Sequence, residues 1–221
     1  MTTTDAIIPT REPVKVLVFS ASLRAASLNA RLAQLAVAAL VRTGIEVDHA
    51  QMREFDCPSY DGDVEEADGI PEGAHELRRR LEAVDGFVIV SPEYNGSMPG
   101  MLKNVIDWTS RHRPQPFHQK QCLLLSASPS MMGGNRSLWS LRVPLEHLGA
   151  RVYPDMFSLA QAHQALDGEG KLAVDVLQKR LDQTIADWSD MVEAGKHYPC
   201  AKARWIEFLG ERPTAVLDRV Q

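Results

Sequence analysis

The stretch VKVLVFSASLRAASLN, residues 14–29, decides how the rest of the chain is read. It opens with Val14, Val16, Leu17, Val18 and Phe19, an apolar and mostly β-branched run that predicts a strand. It closes in a small polar loop carrying Ser20, Ser22, Arg24, Ser27 and Asn29. Leu28, Leu32, Leu35, Ala36, Ala39 and Leu40 then recur at helical spacing. The order is strand, polar loop, helix. In an open parallel sheet, ligands bind beyond the carboxyl ends of the strands. A helix start offers free N–H groups and the positive end of its dipole. Hydroxyls and one guanidinium there, with no carboxylate, suit a phosphate. Taken alone, the loop reads equally as a cap at Ser27 or Asn29 beside a solvated Arg24. Neither G-x-G-x-x-G nor G-x-x-x-x-G-K-S/T occurs, which argues against a dinucleotide fingerprint and a triphosphate P-loop.

Further strands are expected at 45–52, 87–90, 121–126 and 151–153, the first near a sheet edge and the second buried on both faces. Helices are expected at 72–84, 102–110, 137–148 (kinked at Pro144) and 172–193. Residues 53–73, rich in Asp, Glu, Gly and Pro, read as a long solvated loop. Alternating strands and helices predict an α/β, doubly wound parallel sheet. An arm (1–13) would precede one domain (14–195), and an extension (196–221) would follow it. That extension holds Tyr198, Trp205, Ile206, Phe208 and Leu209, and it is expected to wrap a neighbouring subunit rather than its own.

A chain of 221 residues fits one domain with such an arm. A net charge of −5 gives no reason to expect a nucleic-acid partner. Arg78, Arg79 and Arg80 lie between Glu76 and Glu82 in a helical pattern and read as a solvated face. Cys57, Cys122 and Cys200 are far apart, no CxxC occurs, and the histidines lack ligand spacing. The acidic run from Asp61 to Asp68 lacks the terminal glutamate of a calcium loop, so no metal is expected. Neither a signal peptide nor a membrane span is read, and the expected location is the cytoplasm.

The loops after the first, third and fourth strands would share one rim. The second of them, SPEYNGSMPG (residues 91–100), combines an aromatic, an amide, prolines and glycines. The third, ASPSMMGGNR (127–136), carries Ser128 and the pair Gly133 and Gly134. Glycines let backbone approach a flat ligand, and Asn95 with nearby N–H groups suits a ring edge bearing carbonyls and nitrogens. Phosphate at one end and planar heterocycle at the other describes flavin mononucleotide (FMN).

SASLRAASLN (20–29) and SPEYNGSMPGMLKNVIDWTSR (91–111) together resemble the NAD(P)H-dependent FMN reductase family, which includes quinone, azo-dye and chromate reductases. The resemblance runs from about residue 13 to 193. It implies a flavodoxin-like sheet of five parallel strands in the order 2-1-3-4-5. It implies FMN as cofactor, with Ser22, Arg24, Ser27 and Asn29 on the phosphate. Pro92, Glu93, Tyr94, Asn95, Gly96 and Ser97 would line the ring, and Ser128, Gly133 and Gly134 its far side. The flavin carries the chemistry, so no dedicated acid–base residue is expected. The activity implied is electron transfer from NADPH or NADH through FMN to a small acceptor, by a ping-pong mechanism. That acceptor would be free flavin, a quinone, an azo compound or a metal oxyanion. A homodimer or homotetramer is expected. Two other readings stay open: an electron-transfer protein serving a partner enzyme, and a non-catalytic flavin-binding protein.

Overall fold

The computed structural model describes residues 12–167 and 171–197. β1 (Lys15–Ser20) pairs in parallel with β2 (Glu46–Gln51) on one side and β3 (Gly86–Val90) on the other. β4 (Gln121–Ala127) lies beside β3, also parallel. The fifth position holds two short segments. β5 (Arg151–Val152) pairs with the start of β4, and β6 (Phe157–Leu159) pairs with its end. The order β2-β1-β3-β4-β5 is the one expected, with the fifth strand interrupted at residues 153–156. Segments of two and three residues are too short to show a period, so β6 is absent from the sequence reading.

Side chains on a strand alternate between faces. Val16 and Val18 therefore meet α1 (Leu28–Arg42) and α7 (Asp175–His197), while Leu17 and Phe19 meet the opposite layer. That layer contains α3 (Glu72–Glu82), α4 (Gly100–Thr109) and α5 (Asn135–His147). Central strands β3 and β4 are buried at every position, as continuous apolar runs demand. Edge strand β2 carries Glu46, Asp48 and Gln51 toward solvent, which discourages pairing with another sheet.

Two expectations need correction. Residues 53–73 are not one solvated loop. They contain a 3-10 turn at Met52–Phe55 and α2 (Gly62–Asp68), whose N-cap Asp61 accepts from the Asp63 N–H. The strap between them is pinned to α4: Trp108 Nε1 donates to the Pro58 carbonyl at 2.8 Å, and Arg111 pairs with Glu65. Nor is the Arg78–Arg80 run uniformly solvated. Arg80 is largely buried against Asp48, Glu54 and Glu76 and lies over the Phe55 ring.

A short α6 (Ala162–Ala165) leads toward α7. α7 runs past its expected end to His197, and Leu181, Ile185, Trp188 and Val192 fill the core of their own chain. Near its end, Lys196 Nζ donates to the Pro13 carbonyl at 2.8 Å and pairs with Asp85 at 3.0 Å. The proposed arm up to residue 11 and the extension from 198 lie outside the described residues. No helix among the described residues is long and apolar enough to cross a membrane.

Candidate functional site

β1, β3 and β4 are neighbours in a parallel sheet, so the loops that follow them emerge on one rim. In the first loop the Ala21 N–H donates to the Val90 carbonyl at 2.9 Å, and the Ala21 methyl joins the core beneath. Ser27 is the N-cap of α1, its side chain accepting from the Ala30 N–H at 3.2 Å. The N–H groups of Leu28 and Asn29 have no partner among the described residues, and the first turn holds no acidic residue. Ser22 Oγ accepts from the Arg24 N–H at 3.4 Å, leaving its own proton to donate outward. Among the described residues, buried Ser20 Oγ has no partner and no carboxylate pairs with the exposed Arg24 guanidinium. Unpaired donors, a helix dipole and an exposed cation beside one another suit an anion.

Asn29 does other work. Its Nδ2 donates to the Ala127 carbonyl at 2.9 Å, and its Oδ1 accepts from the Ala127 N–H at 2.9 Å. Both ends of the amide are engaged, so Asn29 ties the first loop to the base of the third.

The second loop is a two-residue hairpin turn. Tyr94 and Ser97 exchange backbone hydrogen bonds of 2.9 and 3.1 Å, and Asn95 and Gly96 take φ of 53° and 79° at the apex. Asn-Gly is the sequence this turn prefers, because both central residues need positive φ. The apical N–H groups of Asn95 and Gly96 are unpaired among the described residues. A Cβ on Gly96 would meet nothing within 4 Å, so backbone here faces open space. Tyr94 is exposed and Pro92 is buried beneath the turn.

Glu93 is turned away from that space. Its carboxylate accepts from the Arg136 N–H at 3.1 Å, at the start of α5, and pairs with the Arg136 guanidinium at 2.6 Å. The Glu93 side chain is 8% exposed and that of Arg136 is 61% exposed. Below them, Ser91 Oγ and Ser137 Oγ lie 2.9 Å apart, both buried. Second and third loops are thus fastened to each other through α5.

The glycines of the third loop are required by packing against protein. A Cβ on Gly133 would lie 2.9 Å from the Ala160 nitrogen, and one on Gly134 would lie 1.9 Å from Ser126 Oγ. Ser128 Oγ accepts from the Ser130 N–H at 3.2 Å and shapes the turn. Met131 and Met132 stand out into solvent as an apolar lip, and Trp139 and Val143 continue it along α5.

Ser22, Arg24, Ser27, Tyr94, Asn95, Gly96, Ser97 and Ser128 therefore share the rim, while Asn29, Glu93, Gly133 and Gly134 brace it. Ser20, read as part of the first polar loop, is the last residue of β1, and its buried hydroxyl has no partner among the described residues. One residue escaped the sequence reading. Arg53 comes from the 3-10 turn after edge strand β2, and its guanidinium reaches the Leu23 carbonyl at 3.5 Å. Burial pushes the Cys57 thiol up to about 11, helped by Asp56, which disqualifies it as a nucleophile.

The profile of the NADPH-dependent FMN reductase family matches residues 14–164. The chain is 35% identical to an NAD(P)H-dependent FMN reductase of Pseudomonas aeruginosa over 79% of its own length and 92% of the relative's. It is 38% identical to a quinone reductase of Escherichia coli over 64% of its length and 74% of the relative's. Among solved structures it resembles FerB, the flavoenzyme NAD(P)H:(acceptor) oxidoreductase of Paracoccus denitrificans. That likeness has a TM-score of 0.69 and 27% identity, covering 81% of this chain and 97% of FerB. The matched region spans all three rim loops, and the chain belongs to the NADPH-dependent FMN reductase family, whose relatives here are NAD(P)H-dependent FMN and quinone reductases.

Proposed function

We propose that this NAD(P)H-dependent reductase holds FMN along the rim and passes electrons to a quinone or free flavin in the cytoplasm. One observation carries the cofactor assignment. The unpaired donors at the start of α1 and the open Asn95–Gly96 turn lie on the same edge of the sheet, over adjacent strands. Their chemistry matches a phosphate monoester joined to a planar ring with carbonyl and nitrogen edges. Ser20, Ser22, Ser27, Arg24 and the first N–H groups of α1 would take the phosphate. The N–H groups of Asn95 and Gly96 would meet the ring edge, with Tyr94 as an adjoining wall.

When bound, FMN supplies the two-electron chemistry between a nicotinamide donor and the acceptor. The protein's part is positional. The clamps at Asn29 and Glu93 hold the three loops at fixed spacing, so the donor groups need little rearrangement on binding. The apical N–H groups of the second loop offer hydrogen bonds to charge that develops at the ring edge. Donor and acceptor use one open face in turn, which gives parallel double-reciprocal plots.

A second copy of the chain would cover Met131, Met132, Trp139 and Val143, exposed apolar side chains beside the site. A strict monomer in light scattering at micromolar concentration, with FMN present, would count against this. The cofactor reading is tested by an anaerobic spectrum of the FMN-loaded protein before and after NADPH and, separately, NADH. Bleaching within seconds is expected. A bound flavin that neither donor bleaches would favour an electron shuttle, and failure to bind FMN would overturn the site.

A further inference from the structure

Several arginines among the described residues are matched with carboxylates. Arg42 pairs with Asp182, Arg78 with Glu82, Arg111 with Glu65, Arg136 with Glu93 and Arg142 with Glu146. Arg53 is an exception on the rim. Among the described residues no ion pair involves it, and its one contact is the Leu23 carbonyl at 3.5 Å. Its neighbours explain the isolation. Glu54, next in sequence, is drawn away: Oε1 accepts from the Gln51 N–H and Oε2 pairs with Arg80, both at 2.5 Å. Arg80 also takes Asp48 and Glu76, so these carboxylates, like that of Glu54, are engaged away from Arg53.

The turn itself is rigid. Met52 and Phe55 are buried, Phe55 edge-on to Phe19, so the backbone at Arg53 is fixed while its side chain is exposed. One bond to a carbonyl extends the guanidinium over the first loop and leaves most of its N–H groups available. Arg24, beside Leu23, is likewise uncompensated. The phosphate of FMN is already provided for by the hydroxyls, the helix start and Arg24. A second exposed guanidinium, reaching from outside the loop, provides for a second anion.

We propose that Arg53 is a specificity-determining residue, recognising the 2′-phosphate that distinguishes NADPH from NADH. The inference rests on the assignment of FMN to the rim. A planar guanidinium suits a phosphate monoester, and an exposed charge-assisted contact of this kind supports roughly tenfold discrimination.

The test uses the FMN-loaded full chain and two probes, 2′-phosphoadenosine 5′-phosphate and adenosine 5′-phosphate, with binding read by calorimetry at low ionic strength. The first is expected to bind about tenfold tighter. Arg53→Gln should remove that difference and raise KM for NADPH about tenfold, leaving KM for NADH and the FMN affinity unchanged. Arg53→Lys should restore part of the difference. Equal binding of both probes by the native chain would overturn the proposal. So would a Gln variant that weakens FMN binding, or both donors equally, since Arg53 would then serve the flavin phosphate or the scaffold. Failure of the native chain to take up FMN would instead strike the cofactor assignment.

Discussion

Asn29 and Ala127 exchange two hydrogen bonds of 2.9 Å although they stand 98 residues apart in the chain. The side chain of one reads the backbone of the other as a neighbouring strand would. Asn29→Ala leaves a buried N–H and a buried carbonyl unpaired, at a cost of about 2–4 kcal/mol. Urea unfolding should show that loss. FMN affinity should fall with it, because the first and third loops are no longer held together. Full stability with weakened FMN binding would instead make Asn29 a direct ligand.

Glu93 and Arg136 should not be equivalent. Removing Arg136 takes away a guanidinium that is itself 61% exposed and leaves Glu93 still accepting an N–H at the start of α5. Removing Glu93 strips that N–H of its acceptor and unfastens the second loop. Thermal unfolding should rank Glu93→Ala well below Arg136→Ala, and the ranking should persist at high salt.

Two glycines separate stability from binding. Gly134→Ala puts a methyl group 1.9 Å from Ser126 Oγ at a φ of 83°, so the folded protein should lose stability sharply. Gly96→Ala meets nothing within 4 Å and incurs only the left-handed penalty, about 1–2 kcal/mol. Its methyl would project into the open space proposed for the flavin ring, so flavin fluorescence titration should show a larger defect in Gly96→Ala than in Gly134→Ala protein that remains folded.

His112 makes stability depend on pH. It is buried: its Nδ1 donates to the Thr109 carbonyl at 3.1 Å, and its Nε2 accepts from His75 Nδ1 at 3.0 Å. Burial, then the neighbouring His75 and Arg78, lower its pKa from 6.5, against the opposing pull of the Thr109 carbonyl and Glu82. The unfolded chain then binds the proton more readily, so stability is full above about pH 6.5 and erodes as the pH falls below it. Denaturant midpoints measured from pH 8 to 5 should show this slope. His112→Phe should be less stable at neutral pH and should flatten the decline below about pH 6.5.

The strand, loop and helix at residues 14–29 were legible because their signals are local: an apolar run, a polar break, a helical period. What stayed hidden depends on contacts across the sheet. The Asn29 side chain looks like a phosphate ligand until Ala127 is placed beside it. Glu93 looks like a ring contact until α5 brings Arg136 to it, and Gly133 looks like ligand clearance until Ala160 fills the space. The interrupted fifth strand had no period to read, and α2 was masked by a composition typical of loops.

The meeting of Lys196 with Pro13 and Asp85 has a consequence for engineering. Those residues adjoin the starts of β1 and β3, whereas the rim lies at the strands' far ends, about 20 Å away for six residues. Both termini of the described chain are thus anchored at the back of the molecule. A permutant that joins residues 12 and 197 by a short linker and opens elsewhere would keep the front intact. Immobilising the protein through a position beside Pro13 or Lys196 would present that front outward from the support.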